Sequence, residues 1–174
     1  MTEPQLRHLH LQVNRKLSQC LQLAEQHFHC QFPRPEISYK LRGVKAGIAY
    51  LQLWQIRLNP IMLLENQQAF IDQVVPHELA HLLVYQLFGR VKPHGREWQM
   101  VMTQVFGVPA ETKHQFAVQR VQGQTFPYRC ACQIYHLTVR RHTKIVGEGI
   151  EYFCKKCKTK LFFVESQDST INLE

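Results

Sequence analysis

The chain has 174 residues, 45% hydrophobic and 20% charged, which is the balance of a globular protein and excludes a disordered or fibrous one. No apolar run approaches the roughly 18 residues needed to span a bilayer, and the opening MTEPQLRHLHLQ has neither the basic nor the apolar region of a secretory signal. A cytoplasmic protein with no membrane partner is therefore expected, its six cysteines reduced or bound to metal.

Leu6, Leu9, Val13, Leu17, Leu21, Ala24 and Phe28 recur at steps of three and four, predicting an amphipathic helix over residues 5–29. Cys20 lies beside that stripe and Cys30 just past its end, and both read as small buried hydrophobes. Strands are expected at 37–41, 47–51 and 55–58, where β-branched and aromatic residues gather. Asn59 before Pro60 reads as a helix start, a capping side chain followed by proline at the first helical position. The next helix runs over 68–88 and ends at Gly89, with either a kink expected at Pro76 or only a short turn upstream of it. HGREWQMVMTQVFG predicts another helix, with Trp98, Met102, Val105 and Phe106 inward and Gly107 as its stop. Strands followed by helices predict an α+β domain over residues 1–122. Beyond it lie a cysteine-bearing segment at 123–165, made of short strand-like runs, and a polar tail at 166–174.

The stretch VVPHELAHLLVYQLFG sets three polar residues into an otherwise apolar helix. His77 and His81 stand one turn apart, so both rings share a face and can reach one ion at about 2.0–2.1 Å. Glu78 lies about 100° round the helix, off the ligand face but within reach of a water on that ion. This is the H-E-x-x-H pattern of zinc proteases, in which the glutamate acts as general base. Burying these groups would be costly unless something paired them, and a metal pairs all three. A catalytic zinc needs a third protein ligand, and the residues leave His94 and Glu97 both open. No oxyanion-stabilising side chain stands out, although Tyr39, Tyr50 and Tyr85 have a suitable type.

Cys130 and Cys132 face Cys154 and Cys157 across 21 intervening residues, a pattern suited to tetrahedral zinc in a structural ribbon. His136 and His142 lie between the pairs and could substitute as ligands, although a surface role suits them better. The net charge of +8 concentrates here, with ten Lys or Arg against three acidic residues over 111–164. Arg129, Arg140, Arg141, Lys155, Lys156 and Lys158 interleave with Phe126, Tyr128, Tyr135, Tyr152 and Phe162. Such a mixture binds single-stranded or distorted DNA by phosphate contact and base stacking, or it is a solvated basic face around core aromatics.

VVPHELAHLL followed by FGRVKPHGREW resembles the SprT-like metalloprotease family, which includes the Spartan proteases that cleave proteins crosslinked to DNA. The resemblance extends over nearly the whole chain. It implies a zincin-like domain, a small sheet packed on helices with H-E-x-x-H on a central helix, followed by a C-terminal zinc ribbon. It also implies that His94, in the H-G-x-x-W element, is the third ligand of the catalytic zinc, and that the C-x-C arm of the cysteine segment is the family's own arrangement. The function so implied is zinc-dependent peptide hydrolysis, with Glu78 as base and DNA-associated or DNA-crosslinked proteins as substrates. Two zinc ions per chain are expected, one catalytic and one structural. The alternative is a nucleic-acid-binding zinc protein whose H-E-x-x-H site is structural or idle. A fourth protein ligand would mark that closed site.

Overall fold

The computed structural model of the chain describes residues 3–112, 116, 121 and 123–164, with backbone alone for 3–6. Two compact units divide between Val121 and Gln122. In the first, helix α1 (Glu3–Phe28) buries Leu9, Val13, Leu17, Leu21 and Ala24 along one stripe, with Cys20 beside them. His29, at φ 53, breaks the helical path. Cys30 is exposed, contrary to expectation, because the chain has already turned; Phe32 takes the core position instead.

Strands β1 (Glu36–Ser38), β2 (Gly47–Tyr50) and β3 (Gln55–Leu58) form a sheet in the order β1-β3-β2, with β1 parallel and β2 antiparallel to β3. Ile56 and Leu58 point to the helices and are fully buried. Helix α2 (Pro60–Phe88) begins as its residues dictate. Asn59 Oδ1 accepts from the N–H groups of Ile61 and Met62, and Pro60 occupies the first turn.

The backbone stays helical at Pro76. The non-helical residue within α2 is Gln67 (φ 40, ψ −112), and the helix runs on through Pro76 to Gly89, whose N–H closes on Tyr85 O. A proline removes one backbone bond. Here Pro76 is buried, in a helix packed against α1, β2 and the following helix. The downstream part of α2 is apolar nearly all round, as a helix enclosed on several sides must be.

Helix α3 (Arg96–Met100) opens into a π-helical turn over Val101–Val105 in which Phe106 N–H reaches Val101 O. Thr103 Oγ1 bonds back to Gln99 O within it, a competitor to regular helical bonding. Trp98, Val101, Met102, Val105 and Phe106 are all buried, so the widened turn keeps the inward set together.

In the second unit, β4 (Thr125–Arg129), β5 (Ile134–Thr138) and β6 (Phe162–Phe163) form an antiparallel sheet in the order β5-β4-β6. Its core holds Tyr128, Leu137, Leu161, Cys130 and Cys154. A helix, α4 (Val139–Glu148), follows β5 where only strand-like runs were expected. Gly149 (φ 66) stops it, with its N–H on Lys144 O. The predicted tail at 166–174 lies outside the described residues. Among the described residues no helix is long and apolar enough to cross a membrane.

Candidate metal centres

His77 and His81 project from one face of α2, and His94 arrives from the turn before α3. His94 sits at φ 56 between Pro93 and Gly95, a left-handed conformation uncommon for a side-chain-bearing residue. The turn is tight: a Cβ on Gly95 would stand 2.8 Å from Lys92 O. Three Nε2 atoms converge there, 3.3 Å apart for His77–His81, 3.1 Å for His81–His94 and 3.0 Å for His94–His77. Nitrogens so spaced lie about 1.8 Å from their common centre, close enough for one ion to reach all three at the zinc–nitrogen distance of about 2.0–2.1 Å.

Burial pushes His81 down to about 3, helped by His77 and His94, and burial also lowers His94. His81 and His94 are therefore neutral near pH 7, the form that binds metal. Three ring nitrogens aimed at one point repel one another unless a cation sits between them, and the donor set fits zinc. Among the described residues no fourth histidine, cysteine or carboxylate atom joins this group. Glu97 does not: it lines a separate groove beside Arg96 and Met100.

Trp98, read from sequence only as a core residue, packs its ring against all three histidines at centroid distances of 4.7–5.8 Å. Its indole N–H donates to His77 O at 3.3 Å. The three rings are thus braced from behind by a side chain that is 1% exposed.

Glu78 turns away from the histidine face toward β2 and is 7% exposed. Burial pushes its carboxyl up to about 7, against a hydrogen bond from Ala49 N–H and the charge of Lys45, which both lower it. The histidines and Glu78 line one cleft of about 780 Å³ with residues 44–49 and Leu51 along one wall and Gln73, Val74, Pro93, Glu111 and Thr112 around them. Among the described residues β2 is an edge strand, and its unpaired edge runs along that cleft. Tyr39, Tyr50 and Tyr85 do not line it. Tyr39 bonds to His10, and the Tyr50 ring lies under Arg57.

The second group is Cys130, Cys132, Cys154 and Cys157, all free thiols. Sγ separations of 3.5 Å (Cys130–Cys132) and 3.7 Å (Cys132–Cys154) match the edge of a tetrahedron with zinc–sulfur bonds of about 2.3 Å. Backbone N–H groups of Cys132, Lys156 and Cys157 point at these sulfurs. Tyr135 OH lies 3.0 Å from Cys154 Sγ, and that bond leads in holding this thiol down near 5, while the bond with Cys130 leads in pushing Cys132 up. His142 is no substitute ligand: it stacks on Phe126 at 3.7 Å and bonds to Tyr128 OH. His136 lies on β5 opposite Pro127, outside the sulfur cluster.

Arg129, Arg140, Arg141, Lys155, Lys156 and Lys158 are all exposed, the two central arginines on α4. The aromatics divide differently from the sequence expectation. Tyr128 is fully buried, whereas Phe153, Phe162 and Phe163 are exposed. The Tyr152 ring lies beneath Arg141.

These features define a two-unit protein with a three-histidine centre on a mixed α+β unit and a four-cysteine zinc ribbon. The SprT-like family profile matches residues 17–114, and the SprT-like zinc ribbon domain matches 124–165. The chain is 60% identical to Protein SprT of Pasteurella multocida over 159 residues, 91% of this chain and 96% of that one. It is 59% identical to Protein SprT of Actinobacillus succinogenes (91% and 94%) and 53% identical to that of Vibrio atlanticus (89% and 93%). The chain belongs to the SprT-like family. No solved structure matches it.

Proposed function

We propose that the chain is a zinc metalloendopeptidase, zincin-like in its first unit, acting on proteins associated with or crosslinked to DNA. The observation that carries this reading is the convergence of three Nε2 atoms on one point of an open cleft with a buried carboxylate beside them. His77, His81 and His94 would hold the ion. Bound zinc supplies a Lewis acid that polarises a peptide carbonyl and acidifies water. Glu78 takes the proton of the attacking water on its carboxylate and delivers it to the departing amine. The free edge of β2 offers main-chain hydrogen bonds to an extended peptide lying along the cleft. Trp98 keeps the histidine rings in register.

The DNA component rests on the family resemblance and on the second unit. Residues 123–164 hold eight Lys or Arg against two Glu, and exposed phenylalanines stand among them. Four thiolates with one zinc offset two of those charges and leave the surface basic. A site with three protein ligands favours hydrolysis over a closed structural zinc.

The test is zinc content and hydrolysis of an unstructured peptide, with and without single-stranded DNA. Glu78→Gln should keep zinc at wild-type occupancy and lose hydrolysis. His94→Ala should lose zinc from this centre while Glu97→Gln keeps it. Hydrolysis by Glu78→Gln at the wild-type rate refutes the assignment of the base.

A further inference from the structure

Gly47 is not at a positive φ, so its backbone conformation is open to any residue. What makes it glycine is space. A Cβ at this position would lie 2.6 Å from Glu78 Cγ, 2.7 Å from Glu78 Oε1 and 2.8 Å from Val74 Cγ1. All three are closer than real side-chain atoms approach, and Glu78 has little room to recoil because it is buried between α2 and β2. A glycine inside a strand often marks such a close approach.

The pairing of β2 adds a second contact. Asn59 N–H bonds to Ala46 O across the start of the β2–β3 pair. Hydrogen-bonded pairs alternate in an antiparallel ladder, so Ile48 and Tyr50 face β3 with their N–H groups while those of Gly47 and Ala49 face outward. The outward Ala49 N–H is directed at the Glu78 carboxylate and favours its charged form. One residue yields room and its neighbour but one supplies a donor, both on the same edge.

We propose that Gly47 and Ala49 are positioning residues that seat the Glu78 carboxylate against the edge of β2, so that its oxygens stand beside the three-histidine centre. The inference rests on the protease reading, since a seat for the base matters to rate only if Glu78 is one.

The test uses the full zinc-loaded chain and a fluorogenic unstructured peptide. Gly47→Ala should keep zinc content and hold KM within about threefold. Its kcat should fall about 100-fold, the effect of a misplacement near 1 Å. In a Glu78→Asp background, where the carboxylate is withdrawn by one methylene, the same change should cost less than about threefold. Ala49→Pro removes the outward N–H without touching the ladder to β3 and should lower kcat at least about tenfold. A wild-type kcat in either variant, or an equal factor of loss for Gly47→Ala in both backgrounds, overturns the proposal.

A thermal-melt cycle separates the packing from the chemistry. The fall in Tm caused by Gly47→Ala should shrink when Glu78 is already Ala. An equal fall in both backgrounds refutes the contact even if Gly47→Ala folds too poorly for kinetics. Wild-type protein that hydrolyses no peptide would overturn the protease reading, and the positioning role with it, while the melt cycle still decides the contact.

Discussion

Asn59 is wholly buried and uses every polar atom of its side chain. Oδ1 accepts from Ile61 and Met62 N–H at 3.1 and 3.4 Å, while Nδ2 donates to Gly43 O at 2.7 Å and Lys45 O at 3.2 Å. The residue therefore caps α2 and also ties down the loop that feeds β2 into the cleft. Asn59→Ala removes a cap worth about 1 kcal/mol and two further bonds worth about 0.5–1.5 kcal/mol each, a loss of about 2–4 kcal/mol. Asn59→Asp separates the two roles. As a cap alone, aspartate equals asparagine, but here its second oxygen would face two carbonyl oxygens while carrying a buried charge. The expected order of stability is Asn above Ala above Asp, the reverse of what capping preference predicts for the last two. Urea unfolding at pH 7, followed by far-ultraviolet circular dichroism of the helical unit, measures it. Asn59→Asp as stable as the wild type would refute the bonding scheme, because it would mean that Gly43 O and Lys45 O need no donor.

Cys154→Ser with Cys157→Ser should remove one zinc per chain and unfold the ribbon while the helical unit keeps its own transition, as metal binding and folding are coupled in such modules; full zinc occupancy would refute the four-sulfur site. Burial pushes the Cys20 thiol up to about 11 from its ordinary value near 9, with Lys16 opposing and Asp72 adding. Because the folded value is the raised one, that stability is complete below pH 9 and is lost as pH rises toward 11, about 2–3 kcal/mol in all. Cys20→Ala should flatten unfolding free energy between pH 9 and 10, before Tyr39, pushed up to about 12 by burial, begins to contribute. For single-stranded DNA, Arg140→Ala with Arg141→Ala should flatten the log–log salt dependence of binding by up to about 1.4, or 0.7 per lost phosphate contact. Phe162→Ala should weaken binding at unchanged slope, and unaltered binding in both variants would make this surface a solvated basic face.

Features governed by near neighbours were legible in the chain. The spacing of His77 and His81, the Asn59–Pro60 start of α2, the stripe of α1 and the paired cysteines all depend on helix or turn geometry within a few residues. That geometry is a property of the backbone and hardly changes from one protein to another. The π turn after α3 was not legible, because packing on several sides decides where a helix widens, whereas the break at Gln67 falls just before the expected helix start at residue 68. Charge and aromatic content showed a basic, ring-rich ribbon, yet only the sheet placed Tyr128 in the core and Phe153, Phe162 and Phe163 outside. Sequence spacing left His94 and Glu97 open; a left-handed turn at His94 brings its Nε2 to within 3.0 Å of His77 and leaves Glu97 on another groove. Gly47 is the furthest case. Its glycine sits 31 positions before Glu78, and nothing local requires it. Only when β2 is laid beside α2 do a missing Cβ and a buried carboxylate occupy the same space, because contacts between distant segments exist in the packed chain and nowhere else.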